Sequence, residues 1–477
     1  MDILFAVNEI DFSSPLGLMQ ISAMSKKRGD KNHLVVLSKE NIFKKIEEIN
    51  PKVIAYGGCT GEHKHYVKIN KKIKERFKDI FTIMGGPHAT FFPEVLEEAK
   101  LDAICIGEGE YAFVELLDCI EKRKDISGIE NIVVKGEKLK GLRPLVKNLD
   151  ELPFPERDLF NKHKEKKGMY MPIMSARGCP FSCTYCFNDS FKKIYLNEKI
   201  IRKRPVENIL QEIKEAKKTN DFKYVRFVDD VFVIKEDDRF KEFCEKYPRE
   251  IGLPFHIATR FDLITPNIVK SLKDAGCKAI FMSIESANPK IRKNILKRKI
   301  TDKQILDGAR FCKENGITLI SYTMLGLPNS TLKDDINAVD LSIKAGVDVP
   351  EYPIYQPISK TELYEFCKEK EMFREEDIEE YGFMKHSILN CFSKLEKNAQ
   401  MNIATLGTIA VKYPKLRNII MNKLIYLPYN SIFKKAYALD KMHTYQSKVY
   451  PLKYSLRERV RLIKDSLEIE KIRRPHK

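Results

Sequence analysis

Short apolar runs alternate with amphipathic stretches over the first 135 residues. Ile3–Val7, His33–Leu37, Val53–Tyr56, Phe81–Met84 and Ala103–Ile106 are runs of the length and continuity expected of buried parallel strands. Helical spacing fills the gaps near 16–27, 41–48, 62–77, 91–99 and 110–122. Strand–turn–helix repetition of this kind predicts a doubly wound, Rossmann-like α/β sheet, with its ligand beyond the carboxyl ends of the strands. Four turns fall at such ends: Ser14-Pro15-Leu16-Gly17, Gly57-Gly58-Cys59-Thr60, Gly85-Gly86-Pro87-His88-Ala89-Thr90 and Gly107-Glu108-Gly109-Glu110.

A stretch over 136–168, with Leu152-Pro153-Phe154-Pro155 and the charged run Lys162–Lys167, predicts an irregular linker. A second alternation begins at 169 and runs to 357. Strands are expected at 171–176, 224–231, 255–259, 279–285, 318–325 and 350–355, with helices such as 206–218, 266–275 and 331–345 between them. Six βα units in this length predict a partial (β/α)6 barrel, because a full barrel of eight needs about 250 residues. From 358 to 477 the pattern is mostly helical and basic.

The chain has 477 residues, 43% of them hydrophobic and 32% charged, enough for more than one core. No run of 18 apolar residues predicts a membrane span, and the apolar start Met1–Val7 reads as a first strand rather than a signal peptide. A cytoplasmic protein is expected, with eleven scattered cysteines serving as thiols rather than disulfides. Cys59, Cys105, Cys119, Cys244, Cys277 and Cys312 read as small core residues, while Cys367 and Cys391 carry no assignment. Residues 412–477 hold 17 Lys/Arg against 5 Asp/Glu, so they contribute +12 of the formal +18. Any anionic partner is therefore expected at the C-terminal region, on which Arg457, Arg459, Arg461 and Lys464 follow a helical spacing. A solvated helical cap over the barrel mouth is the plain reading of this region, ahead of a peripheral membrane or lipid contact. Nucleic acid ranks last, for want of arranged stacking aromatics.

The chemistry concentrates in Ser175-Ala176-Arg177-Gly178-Cys179-Pro180-Phe181-Ser182-Cys183-Thr184-Tyr185-Cys186-Phe187, directly after the first barrel strand. Three thiols within eight residues can converge on one soft-metal site. A structural zinc would want a fourth Cys or His, which is not near in sequence. The C-x3-C-x2-C spacing, with an aromatic before the last cysteine, resembles the radical S-adenosylmethionine (radical SAM) superfamily. That resemblance implies a [4Fe–4S] cluster on Cys179, Cys183 and Cys186, whose open iron binds S-adenosylmethionine. An electron from the cluster then yields a 5′-deoxyadenosyl radical.

The same resemblance implies cofactor contacts along the barrel. Tyr185 and Phe187 would flank the adenine, Asp229 and Asp230 would take the amino group, and Glu285 would face the ribose. Arg298 would lie near the methionyl carboxylate, and the Gly326–Pro328 turn near the adenine. A solvated loop pair is the alternative for the two aspartates, and a plain basic surface for Arg298. Tyr355 and Gln356, ending the sixth strand, are candidates to face substrate, with core or rim packing as the equal alternative.

The N-terminal turns resemble those of the cobalamin-binding domains of class B radical methylases. That likeness would place Leu16, Gly17, Thr60, Gly85, Gly86, His88, Thr90, Gly107, Glu108 and Gly109 against the corrin. No Asp-x-His-x-x-Gly motif is present, so His88 is expected in its turn rather than on cobalt; an empty α/β domain is the alternative. Together the likenesses imply cobalamin-dependent methylation of an unactivated carbon on a small-molecule or lipid substrate, with a reductase, ferredoxin or flavodoxin as electron donor. A radical cyclisation, rearrangement or coupling is the runner-up. A non-catalytic cobalamin- or metal-binding regulator is the alternative outside enzymes. Transfer-RNA methylthiolation is disfavoured because Cys59, Cys105 and Cys119 are not grouped.

Overall fold

The computed structural model describes residues 1–10, 14–163, 170–378 and 386–450. These fall into two compact units, Met1–Met169 with Phe191–Phe222, and Tyr170–Ser190 with Lys223–Lys477. Arg457, Arg459, Arg461 and Lys464 lie outside the described residues.

The first unit is a six-stranded sheet: β1 (Asp2–Val7), β2 (Lys31–Val36), β3 (Val53–Gly57), β4 (Phe81–Gly85), β5 (Ala103–Cys105) and β6 (Ile132–Val134), in the order β2-β1-β3-β4-β5-β6. All neighbours are parallel except β5 with β6. Continuous apolar runs form these strands because both sheet faces are covered: Ile3, Phe5, Val36 and Ala55 enter one core, Leu4, Ala6, Val35 and Ile54 the other.

Two expectations need correction here. The helix expected at 91–99 is two short ones, Pro87–Phe91 and Val95–Glu98, because Pro93 forces Phe92 out of helical conformation. The stretch read as an irregular linker instead packs on this unit. Leu145, Val146, Leu149 and Leu152 are buried there, and a helix Arg157–Asn161 buries Phe160 and pairs Arg157 with Glu212.

Residues 191–222 also belong to the first unit; they include the two-residue strand β9 (Arg202–Lys203) and the helix Val206–Thr219. In the second unit, β7 (Met171–Ile173), β10 (Val225–Phe227), β11 (Phe255–Thr259), β12 (Cys277–Met282), β13 (Thr318–Tyr322) and β14 (Val349–Glu351) pair in sequence order, all parallel. Helices such as Pro266–Asp274, Asp302–Glu314 and Leu332–Ala345 connect them, capped by Thr265, Thr301 and Thr331. This is the partial barrel. A short β8 (Ala176–Arg177) opens its first loop.

Beyond the barrel, a helix Lys394–Lys412 starts on the capping box Ser393/Glu396. Most of its side chains are buried rather than solvated. It packs against helix Leu332–Ala345 and β14, on the flank of the sheet, with Ala399, Ile403 and Leu406 in one core with Val339 and Tyr352. Among the described residues no helix is long and apolar enough to cross a membrane. Of the cysteines read as core residues, Cys105, Cys277 and Cys312 are buried, Cys119 and Cys244 half-buried, and Cys59 is exposed.

Candidate functional site

Cys179, Cys183 and Cys186 sit on the loop that leaves the carboxyl end of β7 through β8. Asp229, after β10, ties that loop down: its carboxylate accepts from Ser175 N (2.6 Å), Ser175 Oγ (2.5 Å) and Ala176 N (2.9 Å). Burial pushes the Asp229 carboxyl up to about 6. Through these hydrogen bonds it positions the cysteine loop. Asp230 is exposed beside it and bonds Asn188 and the Gly178 backbone.

The three thiols lie within electrostatic reach of one another, and burial with this mutual proximity pushes Cys186 up to about 12 and raises Cys179. Among the described residues no three His, Cys, Asp or Glu side chains gather as a single-ion site. Two guanidiniums approach the middle thiol: Arg260 Nη1 at 3.7 Å and Arg298 Nη1 at 4.0 Å from Cys183 Sγ. Arg260 stacks over the Phe181 ring at 3.5 Å and pairs with Asp262. Two buried cations against one thiol suit a sulfur that becomes anionic on binding iron, so the donor set fits an iron–sulfur cluster. Arg260 carries no assigned role in the sequence motif; only the fold brings it to Cys183 and the Phe181 ring.

Tyr185, Glu285 and Arg298 form a buried triad behind the cysteines. The Tyr185 hydroxyl donates to Glu285 Oε1 at 2.7 Å, and Arg298 reaches Tyr185 Oη at 3.3 Å, Glu285 at 3.6 Å and the Ser283 carbonyl at 3.0 Å. Burial opposes charge on Arg298, and Tyr185 and Glu285 more than offset it. The three side chains expected around S-adenosylmethionine are thus brought together, already bonded to one another. Phe187 is exposed at the start of helix Phe187–Ile194. Removing Arg298 would leave the buried Glu285 without its cation. Arg298→Ala is expected to destabilise the second unit by about 3–5 kcal/mol, and Arg298→Lys by less. Denaturant unfolding of the metal-free protein measures this, and equal midpoints for all three proteins would refute it.

The Gly326–Pro328 turn is buried after β13. Gly326 N donates to Asp335 Oδ1 (3.0 Å), and Gln400 Nε2 donates to Asp335 Oδ2 (3.0 Å). Burial pushes the Asp335 carboxyl up to about 7. The native state then binds this proton more tightly than the unfolded chain, whose Asp titrates near about 3.9. The associated stability is present below about pH 4 and is lost as pH rises to about 7. Asp335→Asn should flatten that slope, its amide reaching the Gln400 Oε1 that now lacks a partner. Asp335→Ala, stranding Gly326 N–H and the Gln400 amide, should cost about 2–4 kcal/mol. Urea midpoints at pH 5 and pH 8 decide; an unchanged slope in Asp335→Asn would contradict the assignment.

Tyr355 is core rather than substrate-facing, buried with Leu363 and its hydroxyl against Cys367. Gln356 is half-buried and donates to the His386 carbonyl at 3.2 Å.

In the first unit the strand order reverses at β1, between β2 and β3, which is where such sheets bind ligands. The turns after β1 and β3 carry Leu16, Gly17 and Thr60. Leu16 packs partly into the core, while a Cβ built on Gly17 would meet none of the described residues within 4 Å. Gly86, after β4, has φ +93°, and its Cβ would lie 2.9 Å from the Gly58 carbonyl oxygen, so only glycine fits. Gly85 O accepts from Gly58 N at 2.9 Å. Glycines thus stand at the ends of β3 and β4 and in the first turn of helix Leu16–Arg28, and at Gly17 the described residues leave room for a ligand.

The other residues expected at the corrin have partners within the protein. His88 is buried, stacked on His63 at 3.6 Å between ring centroids and bonded through Nδ1 to Thr60 Oγ1 at 3.2 Å. Burial pushes it down to about 4, so it is neutral. Thr90 Oγ1 donates to Gly86 O (2.9 Å) and accepts from Gly107 N (3.0 Å). The Gly107-Glu108-Gly109 turn is covered: the Tyr195 hydroxyl stands where a Gly107 Cβ would be, and Glu108 takes both Nη of Arg202 at 2.8 and 2.9 Å.

Comparison with known families bears on both units. Residues 173–341 match the radical SAM superfamily, and residues 11–117 match the B12 binding domain. The chain belongs to the radical SAM superfamily, with a B12 binding domain ahead of its radical SAM domain. It is therefore a radical SAM enzyme, and the cofactors of its two domains are a [4Fe–4S] cluster, S-adenosylmethionine and cobalamin.

An uncharacterised methyltransferase of Pyrococcus horikoshii is 28% identical over 74% of this chain and 78% of its own. The anaerobic magnesium-protoporphyrin IX monomethyl ester cyclase of Rubrivivax gelatinosus is 26% identical over 73% of this chain. The match spans 64% of that cyclase, less than two thirds. Among solved structures, the radical S-adenosylmethionine methyltransferase TsrM of Kitasatospora setae, with cobalamin and a [4Fe–4S] cluster bound, superposes with TM-score 0.67. That match has 13% identity and covers 98% of this chain and 99% of TsrM, a likeness of fold.

Proposed function

We propose that this enzyme methylates an unactivated carbon of a small-molecule or lipid substrate. The observation that carries the reading is the joining, in one chain, of the cysteine loop after β7 to a B12 binding domain. When bound, the cluster supplies the electron for cleavage of S-adenosylmethionine, and cobalamin supplies a methyl group to a carbon radical. The protein's part is positional. Asp229 fixes the loop, Arg260 and Arg298 hold positive charge against Cys183, and the Tyr185–Glu285–Arg298 triad walls the site against water. The methyltransferase names of the Pyrococcus relative and of TsrM support methylation. A reductase, ferredoxin or flavodoxin is the electron donor this chemistry requires.

The test incubates the anaerobically reconstituted enzyme and a reductant with methyl-deuterated S-adenosylmethionine and an extract of small molecules and lipids. One extract component should gain a deuterated methyl group as 5′-deoxyadenosine accumulates. Cleavage without label transfer would favour a cyclisation of the kind named for the Rubrivivax relative.

A further inference from the structure

Thirteen large hydrophobic side chains are exposed among the described residues, and seven of them fall within 413–439. They lie on or directly beside the short helices Pro414–Leu416, Arg417–Asn422 and Leu424–Tyr426 and the helix Ser431–Thr444. The inward side chains of this layer, Ile420, Met421 and Ile425, are buried against helix Lys394–Lys412. Asn402 of that helix donates to the carbonyls of Ile425 and Leu427, at 2.9 and 2.7 Å, and fixes the layer in place. Its outward side chains nevertheless include Tyr413, Leu416, Ile419, Tyr426, Leu427 and Ile432, the last 73% exposed. A concentration of this kind on a fixed layer marks a contact surface.

The charges between these side chains are of one sign. Residues 412–450 contain eight Lys/Arg and one acid, Asp440, which Lys412 takes at 2.6 Å. Arg417 and Lys441 are held by Asp340 and Glu351. Lys415, Lys423 and Lys435 stand exposed among the apolar side chains.

We propose that the 413–439 face docks the enzyme on an anionic lipid bilayer. Aliphatic and tyrosine side chains enter the headgroup boundary while the lysines meet lipid phosphates. The composition separates this occupant from others. Protein interfaces are depleted in lysine at their cores, and a single-stranded nucleic acid is held by aromatic stacking in a basic groove, which exposed isoleucine and leucine do not supply. The face lies apart from the cysteine loop and from the glycine turns in sequence, so the proposal stands or falls independently of the reaction assigned above.

The test is co-sedimentation of the full chain with phosphatidylcholine vesicles, with and without phosphatidylglycerol, over a range of salt. Binding should require the anionic lipid and weaken steeply with salt. Lys423→Ala with Lys435→Ala should lower the partition coefficient about 25-fold, at about fivefold per lysine. Ile419→Ser with Ile432→Ser should lower it at least about tenfold. Both double variants should keep the wild-type circular dichroism, unfolding midpoint and vesicle-free S-adenosylmethionine cleavage, since all four side chains are exposed. Removing residues 451–477 should weaken binding without abolishing it. Absence of vesicle binding, binding unchanged in both folded variants, or loss of all binding on removal of 451–477 would overturn the proposal. So would self-association or RNA binding through this face in place of vesicle binding.

Discussion

Cys179→Ala, Cys183→Ala or Cys186→Ala should each abolish reductive cleavage of S-adenosylmethionine, a loss of several orders of magnitude, while Cys119→Ala leaves it intact. The expectation follows from the donor count. Three thiolates hold a four-iron cluster and leave one iron for the second cofactor, so two cannot do both. It also follows from where the loop is held. Asp229 anchors Ser175 and Ala176 whichever cysteine is replaced, so the start of the loop persists in each variant, while Arg260 and Arg298 lose a partner only in Cys183→Ala. The metal-free variants should therefore unfold near the wild-type midpoint. Cys183→Ala should be the most costly, because it leaves two buried guanidiniums without their sulfur. 5′-Deoxyadenosine formation under dithionite reads the result, and undiminished cleavage in any one of the three would remove that cysteine from the ligand set.

Gly17→Leu should weaken cobalamin binding by at least about a hundredfold and abolish methyl transfer, yet leave 5′-deoxyadenosine formation measurable. Gly17 sits in the first turn of helix Leu16–Arg28, beside the strand-order reversal, and a Cβ added there would meet none of the described residues within 4 Å. The substitution fills the space a corrin would use, while leucine is the better helix former. Gly86→Leu would be a poor substitute. Its Cβ would collide with the Gly58 backbone, at a φ that side chains rarely adopt, so it would disturb the turn whether or not cobalamin binds there. Cobalamin absorbance after anaerobic loading, with unfolding curves as the control, separates the cases. Unchanged binding in folded Gly17→Leu would move the corrin off this turn.

The sheets were legible because their strands are buried on both faces and so appear as unbroken apolar runs. Ile3–Val7 and Val53–Tyr56 could hardly be anything else. Strand β6 was not legible: three residues after a charged segment give no period, and its antiparallel pairing depends on β5. The packing of 136–168 was hidden in single hydrophobics spaced among prolines and charges. The cysteine ligands were legible as a local motif, whereas their surroundings were not. Arg260 and Arg298 meet Cys183 from 77 and 115 residues away. Asp229 illustrates the converse. Its position after a barrel strand suggested a cofactor contact, but its oxygens are engaged by Ser175 and Ala176. Glu108 and Thr90 likewise sit in the expected turns and bond the protein instead.

The central claim is that one chain carries both a three-cysteine cluster and cobalamin. Iron, acid-labile sulfide, zinc and cobalamin should be quantified together on the anaerobically purified and reconstituted protein. The account predicts about four irons and four sulfides per chain, with about one cobalamin and no stoichiometric zinc. Stoichiometric zinc without labile sulfide, or a complete cluster on a chain that takes up no cobalamin, would contradict it.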